Sequence, residues 1–186
     1  MSQNIASPMN RISIRKYAMK IRALLGISST DYVNAPKLFD LFTNIFNEHN
    51  LTFDYQVLPD DDSIFINKEE AFTDTKTGVI YIKESVMEQA CRRKYRRGAF
   101  TLIHELGHYL LHYLQDDIKL ARVSDEVEVP IYRNPEWQAD TFASEFLMPF
   151  DECIHMSVEE IRKTYHVSRQ AAEVRFNKIQ DEINKR

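Results

Sequence analysis

Apolar residues recur at helical spacing from Ile12 to Leu25, where Ile14, Tyr17, Ala18, Ile21, Leu24 and Leu25 share a face and Gly26 suits a C-terminal cap. A second helix is expected from Pro36, with Leu38, Leu41, Phe42, Ile45 and Phe46 turned inward. The period then changes. Phe53 to Val57, Ser63 to Asn67 and Val79 to Ile82 read as short strands, the last preceded by a Thr75-Lys76-Thr77-Gly78 turn. Further on, Phe100, Leu102, Ile103, Leu106, Leu110 and Leu111 are spread round a helix, as in a buried segment. After a polar connection from Gln115 to Arg133, Asn134 reads as an N-cap and Pro135 as a first helical residue. Trp137, Phe142, Ala143, Phe146 and Leu147 give that helix a packed face, and Pro149 closes it. Ser157-Val158-Glu159-Glu160 is a capping box, and a turn at His166-Val167-Ser168 leads into a helix from Arg169 to about Asn184.

These elements predict an α+β fold, mostly helical, with a small sheet preceding the buried helix and a C-terminal helix-turn-helix-like pair. The expected organisation is N-terminal helices over 1–50, a core over 51–150, and a C-terminal helical pair over 151–186 packed on that core.

Composition narrows the function classes. The chain has 186 residues, 44% hydrophobic and 28% charged, enough apolar material for one core. Its net charge of −4 is no electrostatic match for nucleic acid. Residues 157–186 carry seven Lys/Arg against five Asp/Glu, so the helix-turn-helix-like pair suits docking or protein recognition better than DNA. The basic cluster Arg92, Arg93, Lys94, Arg96 and Arg97 reads as a solvated helix end, with a grip on an acidic partner as the alternative. Cys91 and Cys153 form neither a metal cluster nor a disulfide framework, which fits a reducing compartment. With no apolar block of signal-peptide type and no run of membrane-spanning length, the expected location is cytoplasmic, with no membrane partner.

The chemistry concentrates in His104-Glu105-Leu106-Gly107-His108. Histidines at i and i+4 lie on one helical face and can converge on a single ion, with the glutamate beside them within reach of a water there. That is the HExxH arrangement of zinc hydrolases, in which two histidines hold Zn²⁺ and the glutamate is the general base. Burial sharpens the reading, because unpaired polar groups in a buried helix are costly. Gly107 costs about 1 kcal/mol relative to alanine in a helix interior, which suggests that another backbone passes close by.

A catalytic zinc needs a third protein ligand. His112 continues the i, i+4, i+8 series but lies about 12 Å from His104 along the axis. It reads instead as a helix-end residue or as a contact to a ligand or substrate. A metzincin third histidine is excluded, because its glycine and histidine would fall on Leu111 and Leu114. Glu136 and Asp140 share a face of the later helix in the ExxxD pattern of gluzincins. Glu136 is the expected third ligand, and Asp140 the expected partner that orients a ligating histidine. The rivals are Glu145, on the far side of that helix, and Asp125, Glu126 and Glu128 in the polar connection.

With these residues assembled, the chain resembles the ImmA/IrrE family of zinc metallopeptidases. The resemblance rests on the run from Arg97 to His112 and on Glu136-Trp137-Gln138-Ala139-Asp140-Thr141-Phe142-Ala143-Ser144-Glu145-Phe146-Leu147-Met148-Pro149. A Val-Ser-x-x-Ala-Ala-x-x-Arg segment from Val167 to Arg175 adds to it, and together these span residues 50–180. The resemblance implies a gluzincin-like endopeptidase performing limited, regulatory proteolysis of a helix-turn-helix repressor that controls a mobile element or stress regulon. The connection between Leu114 and Glu136 departs from it, carrying no family signature. Tyr109, His112, Tyr132 and Arg133 are the candidate oxyanion donors. The alternative is a non-cleaving anti-repressor or toxin–antitoxin component, against which the intact Glu105 argues.

Overall fold

The computed structural model describes residues 3–49, 51–92, 97–114, 121–123 and 129–185. A short strand β1 (Gln3–Ile5) leads to helix α1 (Arg11–Leu24), whose first turn is capped by the Asn10 side chain accepting from the Ser13 amide. Gly26 ends it with a φ of 67°, a left-handed conformation that costs glycine little. Helix α2 (Ala35–Glu48) starts in the same manner from Asn34, with Pro36 in its first turn.

A three-stranded sheet follows, built from β2 (Asp54–Leu58), β3 (Ala71–Asp74) and β4 (Val79–Lys83) in the order β2-β4-β3. The central β4 runs parallel to β2 and antiparallel to β3, with Val79 opposite both Asp54 and Asp74. The expected strand at Ser63 to Asn67 is absent. The Asp62 side chain instead accepts from the Ile64 amide and its carbonyl from Phe65, and Lys68 takes a φ of 62°. These local side-chain and turn bonds divert the backbone from a ladder despite its apolar residues. The third strand is β3, joined to β4 through the expected turn at residues 75–78, where Gly78 has a φ of 76°.

Helix α3 (Glu84–Cys91) then leads to α4 (Arg97–His108), which continues into one π-helical turn over Tyr109–Tyr113. Strand β5 (Ala121–Val123) returns to pair antiparallel with β1. A 3-10 turn at Ile131–Arg133 precedes α5 (Pro135–Leu147), capped by the Asn134 side chain on the Trp137 amide. The chain ends in α6 (Phe150–Cys153), α7 (Val158–Thr164) and α8 (Arg169–Ile183). Both bonds of the Ser157–Glu160 capping box form. His166 makes the α7–α8 turn at a φ of 53°.

One apolar cluster runs from Ile14 in α1 through Phe39, Ile80, Leu102, Leu106 and Phe142 to Ile179 in α8. Helix α4 lies between the sheet and α5. A Cβ on Gly107 would come 3.1 Å from Phe142 Cδ1 and 3.3 Å from Ala139 Cα, so the glycine lets the two helices approach closely. That approach sets the N-terminal half of α5 against the HExxH face. At the other end, the fully buried Glu145 binds Arg15 of α1 and Arg175 of α8, tying three helices together. Arg93 to Arg96 and Asp125, Glu126 and Glu128, named in the sequence reading, lie outside the described residues.

Candidate metal centre

Two facing helices supply the candidate ligands. His104 and His108 project from successive turns of α4, with their Nε2 atoms 3.1 Å apart. Glu136, in the first turn of α5, places Oε2 3.3 Å from His104 Nε2 and Oε1 3.4 Å from His108 Nε2. Among the described residues these three form a group that could hold a metal ion. The spacings suit that use. Zinc bonds of ~2.0–2.1 Å put neighbouring ligand atoms roughly 3.3 Å apart in a tetrahedral site.

The outer contacts decide which nitrogen faces the centre. His104 Nδ1 lies 3.0 Å from Asp140 Oδ1, so its N–H donates to the carboxylate and Nε2 keeps its lone pair in the neutral ring. His108 is set by a longer chain. Gln138 Nε2 donates to the carbonyls of Ser7 and Tyr132, both at 2.8 Å, which fixes its amide with Oε1 toward His112. His112 Nε2 then donates to Gln138 Oε1 at 2.9 Å, leaving His112 Nδ1 to accept from His108 Nδ1 at 3.0 Å. His108 Nε2 is thereby left with a lone pair, aimed at the lone pair of His104 and at the Glu136 carboxylate. Three electron-rich atoms packed this closely need a cation or a proton between them, and the donor set of two imidazoles and one carboxylate fits zinc.

The titration behaviour of the metal-free trio agrees. Burial works against a charged His104, but its bonds to Asp140 and Glu136 prevail and raise its pKa to about 10. The close approach of His104 and His108 holds Glu136 far below the ordinary carboxylate range. Burial, reinforced by the neighbouring His108, lowers His112 to about 4, so it stays neutral as the chain of bonds requires.

Glu105 faces a cleft of about 290 Å³ walled by β3, α4 and the start of α5. Thr73 on β3 donates to Glu105 Oε2 at 2.8 Å, also contacts the Glu105 carbonyl at 3.0 Å, and so holds the carboxylate beside the trio. Of the candidate oxyanion donors, Tyr109 is buried and donates to the Thr52 carbonyl, and His112 is committed to His108 and Gln138. Tyr132 and Arg133 stand exposed just before α5. Glu145 binds Arg15 and Arg175 on the other side of α5 from Glu136. Sequence reasoning did not find Thr73 or Gln138. Thr73 lies outside every motif and Gln138 holds an unspecified position of ExxxD, and each acts through a partner 26 or more positions away.

An HExxH helix packed beside a small sheet, with a carboxylate from the following helix closing on both histidines, defines the class of metallopeptidase folds. The family model described as the IrrE N-terminal-like domain, of the M78 peptidases, matches residues 52–177, and the chain belongs to that family. It is thus a peptidase of the IrrE/ImmA type, from a family of metallopeptidases, acting on protein. No curated protein matches the chain. No helix among the described residues is long and apolar enough to cross a membrane.

Proposed function

We propose that the protein is a zinc-dependent endopeptidase that makes limited, regulatory cuts in a helix-turn-helix repressor within the cytoplasm. The observation that carries the metal chemistry is the convergence of two imidazole lone pairs and one carboxylate, each nitrogen oriented by a bond on its far side. His104, His108 and Glu136 would hold the ion, and Asp140 would orient His104. When bound, zinc supplies Lewis acidity toward water and the scissile carbonyl.

Glu105 acts as the base. Its carboxylate, held by Thr73, takes the proton of the attacking water and returns it to the leaving amine. The cleft beside β3 admits an extended chain, the strand-addition mode that sheet edges offer to peptides. The repressor assignment rests on the resemblance of the Arg97–His112 and Glu136–Pro149 runs to enzymes of that role.

The test incubates the zinc-loaded protein, and its Glu105→Gln variant, with helix-turn-helix repressors encoded beside its gene, with products read by intact mass. A discrete cut by the wild type alone is expected. Tight association with no cut would overturn the endopeptidase assignment in favour of a sequestering anti-repressor.

A further inference from the structure

A second cavity lies apart from the metal trio. It is a trough of about 700 Å³ between α4, α5 and α8, with Leu147, Met148, Val167, Ala171 and Val174 in its apolar wall. Its position relative to the cleft is what gives it meaning. Helices α4 and α5 line both cavities in the same order. The stretch entering β3 lines the cleft with Glu69 and Ala71 and gives Glu70, between them, to the trough, where Thr101 of α4 donates to it at 3.4 Å. Helix α4 gives Glu105 and His108 to the cleft and Thr101 and Arg97 to the trough. Helix α5 gives Pro135 and Glu136 to the cleft and Ser144 and Leu147 to the trough. His104 and Asp140 stand between, so the two cavities lie end to end along one line.

We infer that the trough is the specificity subsite of this peptidase, taking apolar side chains of the cleaved polypeptide on the C-terminal side of the scissile bond. The inference rests on the peptidase reading above. Leu147 lies three turns beyond Glu136, ~16 Å along the helix at ~1.5 Å per residue. An extended chain rises ~3.3 Å per residue, so its third to fifth residues past the cut reach the apolar wall. Direction follows from β3. It pairs with β4 on one side and lines the cleft with Ala71, Phe72 and Thr73, and an added strand pairs best antiparallel. Such a chain runs from beside Thr73, at Glu105, toward Glu70 and the trough. Arg97 and Glu70 pair at the trough wall at 3.3 Å, so their charges offset each other beside the apolar surface, and Lys178 adds a cation to the lining. On this reading α8 has a recognition role, because it closes the trough with Ala171 and the 46% exposed Val174.

The test digests a mixture of synthetic 12-residue peptides with the zinc-loaded protein and reads every cut by mass spectrometry. Wild type should enrich Leu, Ile, Met and Phe at the third to fifth positions after the cut. Val174→Asp changes an exposed side chain, and unchanged circular dichroism and melting would show that it folds. It should lose that enrichment and cut the best library peptide about tenfold less efficiently, through KM, as expected for losing one buried aliphatic contact. The same peptide ended two residues past the cut should be cleaved equally by both proteins. A fluorescein-labelled copy of the full peptide should bind Glu105→Gln about tenfold more tightly than Glu105→Gln/Val174→Asp by anisotropy. Cleavage without enrichment at those positions, or enrichment that survives Val174→Asp, would overturn the subsite and leave the peptidase standing. No Glu105-dependent cleavage of any peptide or repressor would bring down both.

Discussion

Glu145→Gln tests whether that carboxylate is a structural clasp or a rival metal ligand. The Glu145 side chain is 0% exposed, and its partners Arg15 and Arg175 are 11% and 1% exposed. Arg15 donates from Nε and Nη2 at 3.1 Å, and Arg175 from Nη1 at 3.0 Å and Nη2 at 2.6 Å. The amide of glutamine keeps the shape but leaves the fully buried Arg175 without its anion, while Arg15 keeps its ion pair with Glu182 at 2.8 Å. Breaking a buried pair from one side costs about 3–5 kcal/mol. A chain of this size loses about 2–4 °C of Tm per kcal/mol, so the expected fall is roughly 6–20 °C.

Thermal unfolding followed by circular dichroism and by Trp137 fluorescence would measure it. Acid dependence gives a second readout. Burial raises the Glu145 pKa, but its bonds and charge pairing with Arg175 and Arg15 prevail and lower it below the ordinary value. A lowered folded pKa means stabilisation that is full above the unfolded value, about 4.3, and lost as pH falls through the folded one. The wild type should therefore lose stability below about pH 4.3 more steeply than the variant. Zinc stoichiometry of the folded variant in the cold should equal that of the wild type. A Tm shift under about 2 °C, or a variant that is stable but cannot bind zinc, would refute the clasp.

Three further outcomes follow from the metal centre. Asp140→Asn keeps the size of an exposed side chain but weakens the acceptor on His104, so zinc affinity should fall about 10–100-fold in a chelator competition, with the Tm of the metal-free protein nearly unchanged. Because metal-free His104 titrates near 10, it is protonated at pH 7 and must lose that proton to bind zinc. Calorimetry in buffers of different ionisation enthalpy should find close to one proton released, with affinity rising up to about tenfold per pH unit between pH 6.5 and 8.5; no buffer dependence would count against this state of His104. Gln138→Leu removes the acceptor of His112 and the donor to the Ser7 and Tyr132 carbonyls, so it should cost about 1–3 kcal/mol in urea unfolding and also weaken zinc. A variant with wild-type zinc affinity would show that the bond chain does not orient His108.

The parts of this protein legible from sequence are those written in short-range pattern. Helices α1, α2, α5, α7 and α8 follow from apolar spacing, the last three with Asn134, Ser157 and Ser168 as caps, because a cap and a 3.6-residue period are satisfied within a few positions. The pairs His104/His108 and Glu136/Asp140 are legible for the same reason, since i, i+4 spacing on a helix places side chains on one face. Strand assignment is weaker. Ser63 to Asn67 has strand-like residues but lies among turn-forming aspartates, whereas β3 is only four residues long and defined by its pairing to β4.

What sequence alone determined, then, is the set of elements and the two halves of the site, one on each of two helices. Tertiary structure decided how the halves meet. Gly107 lets α5 approach until Glu136 reaches both imidazoles, and the π-helical turn carries His112 into the chain of bonds that sets His108. It also turned Glu145 from a rival ligand into the partner of Arg15 and Arg175, 130 and 30 positions away. The physical reason is range. Periodicity and capping are settled among neighbours in the chain, whereas burial, tautomer and ion pairing are settled by whatever packing brings alongside.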